Sequence, residues 1–398
     1  MTGILEIMTL SKWDWVSSVF VDSGHVSKSL AQIFNDNGYL LVFSGLPIQY
    51  TVKYMLSLAL LLFGGMASLK WRAHRRIRNR GLWPADIAFA SFLCLSLFLL
   101  LEGVCVAFFD ISDSFSLSKF GRLWYARHVQ LNNMGFRDDR NYTSKPESHT
   151  QRICFIGDSF TFGHGIRRIE NRFTSIIDQQ LSERSDHHFE ICNLALPGWN
   201  TGEQRDRLAD MVKDGFRADI FILMYVLNDT TDLQAENVLF NQHMKQLEPD
   251  NLFLRKSFVL DFLYYRWFVQ QLPEVQNYFS WIREGYEPPI WEQQCMRLRE
   301  LRQICESSGA RFGVVIFPFL HNLGDDPGDA KIHAQLRHFW ESEGVPVLDL
   351  LDDFKQESSP SMVVNRFDAH PNERAHQLAA EIIANEMLST VFHVISAF

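Results

Sequence analysis

The chain has 398 residues and a formal net charge of −9, with 38 Lys and Arg against 47 Asp and Glu, a balance that argues against a nucleic-acid partner. Its 6 Cys show no paired zinc-type spacing and read as small buried hydrophobes, with a Cys154–Cys192 disulfide left open. The 33 Phe and 10 Trp can bury a large core.

In chain order, residues 1–50 are mixed and predict no clear element; the stretch YLLVFSGLPIQY near their end is too short to span a bilayer and fits an interface. Two apolar runs follow, TVKYMLSLALLLFGGMASL at 51–69 and IAFASFLCLSLFLLLEGVCVAFF at 87–109. The second, with Glu102 its one charge, would extend about 35 Å as a helix, enough to cross a membrane. Between the runs Lys70, Arg72, Arg75, Arg76, Arg78 and Arg80 crowd a short segment, and short loops this basic stay on the cytoplasmic side. Residues 51–110 therefore predict a transmembrane helical hairpin with a basic cytoplasmic loop and both outer ends facing away from the cytoplasm. A buried helical pair in a soluble protein is the alternative, which the length of the runs disfavours. Glu102, near the outer end, is expected to snorkel. The runs begin too far from Met1 for a cleaved signal peptide.

Residues 111–149 read as a lead-in linker. From 150 to 398, short apolar runs alternate with helical periodicity. Strands are predicted at 152–157, 189–194, 218–225, 311–317 and 345–350, and helices at about 170–184, 202–214, 291–308, 328–342 and 372–390. In the third helix Trp291, Cys295, Leu298, Leu301 and Cys305 recur at spacings of three and four, and Gly309 can end it. Asn372 is a candidate cap for the last. Such alternation implies a parallel sheet covered on both faces, with reactive groups beyond the carboxyl ends of its strands. Residues 231–290 interrupt the pattern with many aromatics, among them Phe258, Tyr265, Tyr278, Phe279 and Tyr286. An insertion of that length reads as a lid or small subdomain, with packing the expected role of most of its rings.

Four strand-end positions carry chemistry. Ser159, in RICFIGDSFTFGHG, follows the first strand; Gly198, in NLALPGWNTG, the second; Asn228, in MYVLNDTTD, the third. His370, in RFDAHPNERAH, precedes the last helix, with Asp368 two residues before it. A serine hydroxyl needs an oriented base to become a nucleophile and donors aimed at the developing oxyanion. A glycine backbone N–H and an asparagine amide can supply those donors. Each motif alone is ordinary turn punctuation; the order and the strand-end placement give the joint reading its force. Asp158 is expected to cap the turn rather than react, and His164 reads as a plain loop histidine.

These four blocks resemble the SGNH, or GDSL-type, hydrolase superfamily over about 130–398. GDSFTFGHG, NLALPGWNTG, VLND and DAHPN match its blocks in order, and LNNMGFRDDRNY at 131–142 is similar to a lead-in carried by envelope-associated members. The resemblance implies a flavodoxin-like three-layer α/β/α fold with a parallel sheet, and ester hydrolysis or acyl transfer without metal or organic cofactor. It implies Ser159 as nucleophile, His370 as base, Asp368 as its orienting acid, and an oxyanion hole from Ser159, Gly198 and Asn228. Two positions depart: Val226 stands where the third block usually has glycine, and the Asp–His gap is two residues rather than three, as in relatives resembling acetyltransferases of bacterial exopolysaccharide assembly. Asp352 or Asp353 is the fallback partner for the histidine.

The expectation is a serine esterase tethered to the inner membrane with its catalytic domain periplasmic. Its substrates would be O-acyl, foremost O-acetyl, esters of extracytoplasmic glycans or lipids. An O-acetyltransferase of envelope polysaccharide, a small-acyl lipase and a non-catalytic glycan-binding assembly subunit are the alternatives. Expected partners are the membrane, the acylated substrate and envelope-assembly proteins.

Overall fold

The computed structural model describes residues 41–42, 46–78, 83–184, 187–234, 251, 254, 256–268, 271–321, 323 and 327–394. Expectations for residues 1–40, for Arg80 and for 235–250 of the insertion fall outside these. The chain divides into two compact units: Met1–Asp110 with Pro249–Tyr264, and Ile111–Glu248 with Tyr265–Phe398.

In the first unit, β1 (Leu41–Val42) and β2 (Leu46–Pro47) form a short antiparallel pair. Two helices follow, α1 (Ile48–Ile77) and α2 (Trp83–Phe108). They pack through the Phe92 ring, which lies where a Cβ on Gly65 would come within 2.5 Å of it, and through an Arg72–Asp86 ion pair of 2.8 Å. Helix α1 continues through Lys70, Arg72, Arg75 and Arg76 of the basic stretch that the sequence suggested as a loop and ends at Ile77. Lys, Arg and Ala sustain a helix. The basic side chains of its last turn, His74, Arg75 and Arg76, also favour its carboxyl end.

Among the described residues one helix, α2, is long and apolar enough to cross a membrane, with 26 residues and an 18-residue stretch of mean hydropathy 2.3. The predicted pair of spans thus reduces to one candidate. Leu93, Leu95, Leu97, Leu100 and Leu101 of α2 are exposed. Glu102 does not snorkel. It is buried and accepts from the backbone N–H of Phe258 and Val259, both at 3.0 Å, and from the Ser257 hydroxyl. It so satisfies donors that the start of the helix Phe258–Trp267 would otherwise leave orphaned.

The second unit is built on five parallel strands: β3 (Thr150–Gly157), β4 (His188–Ala195), β5 (Ile220–Val226), β6 (Arg311–Phe317) and β7 (Val347–Asp349). Their spatial order is β4–β3–β5–β6–β7. All seven residues of β5 are buried, as expected of a central strand covered on both faces. Alternate residues divide between two cores. On one face Cys154, Ile156, Leu194, Leu223 and Val314 meet three helices: α6 (Thr201–Lys213), α7 (Ile290–Ser307) and α8 (Pro327–Ser342). On the other, Ile153, Phe155, Ile222, Met224 and Val315 meet α5 (Phe173–Arg184) and α9 (Glu373–Ile382). The unit is therefore a three-layer α/β/α sandwich. Two shorter helices of the same unit are α3 (Lys119–His128) and α4 (Ser159–Phe162).

Caps explain several helix starts. Asn200 and Glu203 form a reciprocal capping box on α6, and Asn372 accepts from the Ala375 N–H at the start of α9. Beyond Ile382 the last helix continues with π-type bonding over Ile383–Val391. Cys154 and Cys192 are register neighbours on β3 and β4, and both are free thiols. The described part of the insertion forms short helices whose rings pack. Ile282 and Tyr286 are buried, and the Tyr286 hydroxyl lies 2.9 Å from that of Tyr225.

The chain runs from β3 outward to β4, then returns to place β5 on the opposite side of β3. The sheet reverses direction there, and crevices beyond the carboxyl ends of strands at such a reversal are where open α/β sheets bind ligands. Ser159 follows β3 and Asn228 follows β5. The sequence assigned no element to 351–371, where β8 (Val363–Asn365) and β9 (Asp368–Pro371) form an antiparallel hairpin. Asn365 shapes its turn by accepting from the Phe367 N–H at 2.7 Å.

Candidate active site

The Gly-Asp-Ser turn is dictated by crowding. A Cβ on Gly157 would lie 2.2 Å from Thr161 Oγ1 and 3.2 Å from the Met224 carbonyl, so glycine alone lets β3 end so close to α4 and β5. Asp158 is the cap of α4: its Oδ1 accepts from the Phe160 N–H at 2.9 Å. The next residue, Ser159, is thereby fixed at the strand's end, 7% exposed.

The β8–β9 hairpin brings the base. His370 Nε2 lies 2.8 Å from Ser159 Oγ, and His370 Nδ1 lies 2.5 Å from Asp368 Oδ1. A carboxylate can only accept, so Nδ1 carries the ring proton and Nε2 accepts from the Ser159 hydroxyl. Burial opposes charge on His370, but the Asp368 carboxylate and its hydrogen bond, helped by Asp158 and Asp113, hold its pKa above the ordinary histidine value. For Asp368, burial pushes upward. The charge of His370, its hydrogen bond, the charge of His164 and the Ser112 hydroxyl outweigh that and hold the group well below the usual carboxylate range. An ionised acid thus sits behind a histidine whose free nitrogen faces a serine.

His164 is not a plain loop histidine. It is buried, its ring centroid 4.5 Å from that of His370, with Nε2 3.1 Å from the Asp113 carbonyl and 3.7 Å from Asp368 Oδ2. Facing a carbonyl, Nε2 carries the proton. Burial and the neighbouring His370 push its pKa down to about 4, so it stays neutral beside a base that must charge. Arg137, from the lead-in, grips the turn that carries it by donating to the carbonyls of Gly163 and Ile166, both at 2.6 Å. The glycine after it is required as well. Gly165 has φ +85°, and its Cβ would meet Val364 Cγ2 at 2.4 Å and Asp368 Oδ2 at 3.1 Å.

The remaining sequence candidates fall as follows. Asn228 donates from Nδ2 to Asp158 Oδ2 at 3.2 Å, tying the end of β5 to the turn before Ser159. Val226, in place of the usual glycine, is the buried last residue of β5. Gly198 has φ +78° and is exposed beyond β4, with nothing within 4 Å of its Cβ position. Asp352 is exposed and pairs with Lys355 at 2.8 Å, so the carboxylate at the histidine is Asp368. Asp158 has its pKa raised by burial, against the Phe160 N–H, Asn228, His370 and Ser159.

Residues 155–378 match the profile of the GDSL-like Lipase/Acylhydrolase family, a span that holds Ser159, Gly198, Asn228, Asp368 and His370. The chain belongs to the GDSL-like lipase/acylhydrolase family. No curated protein sequence matches it. Among solved structures, a lipolytic G-D-S-L family protein from Veillonella parvula DSM 2008 is 13% identical, over 60% of this chain and 98% of that one, with a TM-score of 0.36. A mutant acetyl-xylooligosaccharide esterase from Geobacillus Stearmophilus is 12% identical, covering 60% and 94%, with a TM-score of 0.39. A lipase/acylhydrolase from Enterococcus faecalis is 13% identical, covering 60% and 95%, with a TM-score of 0.36.

Among the described residues of this GDSL-like chain, the one group of three potential metal ligands is His164, Asp368 and His370, whose ligand atoms lie within 4.8 Å of one another. Both Asp368 oxygens accept hydrogen bonds and His164 Nε2 is given to the Asp113 carbonyl, so these atoms of the group are already engaged in hydrogen bonds. Sequence reasoning missed the lead-in's share of the site, Ser112, Asp113 and Ser114. They stand before the matched span, in a run of small polar residues whose spacing distinguishes no role. His164 had a signal, its place between the two glycines of the GHG turn.

Proposed function

We propose that this GDSL-like chain is a membrane-anchored serine esterase acting on O-acyl, foremost O-acetyl, esters of extracytoplasmic glycans or lipids. One observation carries the reading: the His370 ring bridges Ser159 Oγ and the Asp368 carboxylate at 2.8 Å and 2.5 Å. In the reaction His370 Nε2 takes the hydroxyl proton as Ser159 Oγ attacks the ester carbonyl carbon. Asp368 holds the ring and stabilises the imidazolium. The backbone N–H groups of Ser159 and Gly198, with the second amide hydrogen of Asn228, bind the tetrahedral oxyanion. Collapse breaks the bond to the alcohol, which leaves with the proton from His370. Water then attacks the acyl-serine by the reverse path and releases the acid.

The location rests on α2, which by length and composition can cross a bilayer, and on the basic end of α1, which fits the cytoplasmic side. The hydrolase unit then faces the periplasm, where acylated glycans, lipids and envelope-assembly proteins are the partners it meets. The test uses the full chain in detergent with p-nitrophenyl acetate and a fluorophosphonate probe. Turnover and labelling are expected, and both vanish in Ser159→Ala. Equal signals from parent and variant refute the esterase. A periplasmic reporter fused after Phe398 is expected to be active, and an inactive one overturns the orientation.

A further inference from the structure

We infer that Ser112 is a positioning residue of this site, a fourth member that fixes the Asp368 carboxylate from a segment outside the family's matched span. The inference rests on the serine-esterase reading above. Ser112 is 1% exposed, and its hydroxyl donates to Asp368 Oδ2, the oxygen that His370 does not use. His164 Nε2 lies 3.7 Å from Oδ2 and is already given to the Asp113 carbonyl, so it does not replace the serine. A carboxylate fixed at one oxygen can rotate about its bond to Cβ; one fixed at both cannot. The partners are charge-assisted, the stronger class of hydrogen bond.

The hydroxyl is itself held in place. Asn365 Nδ2 donates to the Ser112 carbonyl at 3.3 Å. The Ser114 N–H donates to the Phe367 carbonyl at 3.2 Å, and the Ala369 N–H to Ser114 Oγ at 3.0 Å. The Asp113 carboxylate accepts from the Leu117 N–H at 2.9 Å and the Ser118 hydroxyl at 2.6 Å, closing the turn that leads to α3. Ile111–Ser118 is thus stitched to the β8–β9 hairpin on both sides of the aspartate. A hydroxyl that merely needed an acceptor would not require this frame.

The experiment uses the full chain in detergent with p-nitrophenyl acetate. Ser112→Ala is expected to lower kcat about tenfold with KM within about twofold, because the lost bond orients the base and touches no substrate. Combined with Asp368→Asn, it is expected to add no further loss, since it acts through that carboxylate. A kcat within about twofold of the parent, or losses that multiply in the double variant, overturns the assignment. Should Ser112→Ala fail to fold, Ser112→Cys keeps the volume and weakens the donor. A several-fold lower kcat is expected there, and parental kcat refutes the role. A parent without turnover or labelling refutes the esterase reading instead. The Ser112 assignment is then read from the low-field proton resonance of His370 Nδ1–H, which Ser112→Ala is expected to displace; an unmoved resonance overturns it.

Discussion

Asp368→Asn is the sharpest perturbation of this site. The carboxylate is buried, 2.5 Å from His370 Nδ1, and is the largest influence raising the pKa of that histidine against its burial. In the parent the base form of His370 is needed, so the acidic limb of kcat/KM lies above about pH 6.5, the free-histidine value. With a neutral amide in place of the charge, burial dominates, the pKa of His370 falls, and the limb moves to lower pH. The rate falls for a separate reason: the amide does not stabilise the imidazolium and can present a donor to Nδ1, which selects the wrong tautomer. A loss of about 10,000-fold in kcat is expected, or about 5 kcal/mol of barrier. Stopped-flow hydrolysis of p-nitrophenyl acetate from pH 5 to 9, with labelling rates as a second measure, reads both effects. A limb that stays in place, or a loss below about tenfold, refutes the assignment of Asp368 as the group behind the base.

Acid should loosen the fold through two buried neutral histidines. Burial and neighbouring cations push the pKa of His164 down to about 4 and that of His376 to about 3, so the unfolded chain binds more protons and stability is lost as pH falls below about 6.5. Each costs roughly 2 to 3 kcal/mol by pH 4.5. The drop in Tm between pH 7.5 and 4.5 is expected to shrink in His376→Gln, and an unchanged drop contradicts the account. Gly165→Ala is expected to lower both Tm and kcat, since its Cβ would crowd Val364 and Asp368 in a left-handed backbone. The backbone costs about 1–2 kcal/mol and the crowding about 1–3 kcal/mol. Gly135→Ala has a similar φ, +82°, with nothing within 4 Å of the added carbon, so it should lower Tm and leave kcat unchanged. Equal kcat in the two variants counts against the contact with Asp368.

The parallel sheet was legible because its strands are continuous apolar runs of Ile, Val and Phe, and because α7 repeats its apolar face at spacings of three and four. Ser159, His370 and Asp368 were legible from order along the chain, each just past a strand or before a capped helix. What stayed hidden depends on partners far away in sequence. Glu102 reads as a stray charge in an apolar run until the backbone N–H groups of Phe258 and Val259 supply its function. The end of α1 was misplaced because a cluster of like charges suggests a loop, yet Arg and Lys are good helix formers. Ser112 carries an ordinary local context, and only the approach of β9 gives it, and His164 in its GHG turn, a place beside Asp368.

The stitching of Ile111–Ser118 to the β8–β9 hairpin bears on where a fragment carrying the candidate site can begin. A fragment begun at Thr150, where the sheet starts, keeps Ser159, His370 and Asp368 but discards the Ser112 hydroxyl bonded to Asp368. A fragment meant to keep that hydroxyl has to begin no later than Ile111, so a segment ahead of the family's matched span sets where the proposed hydrolase unit starts.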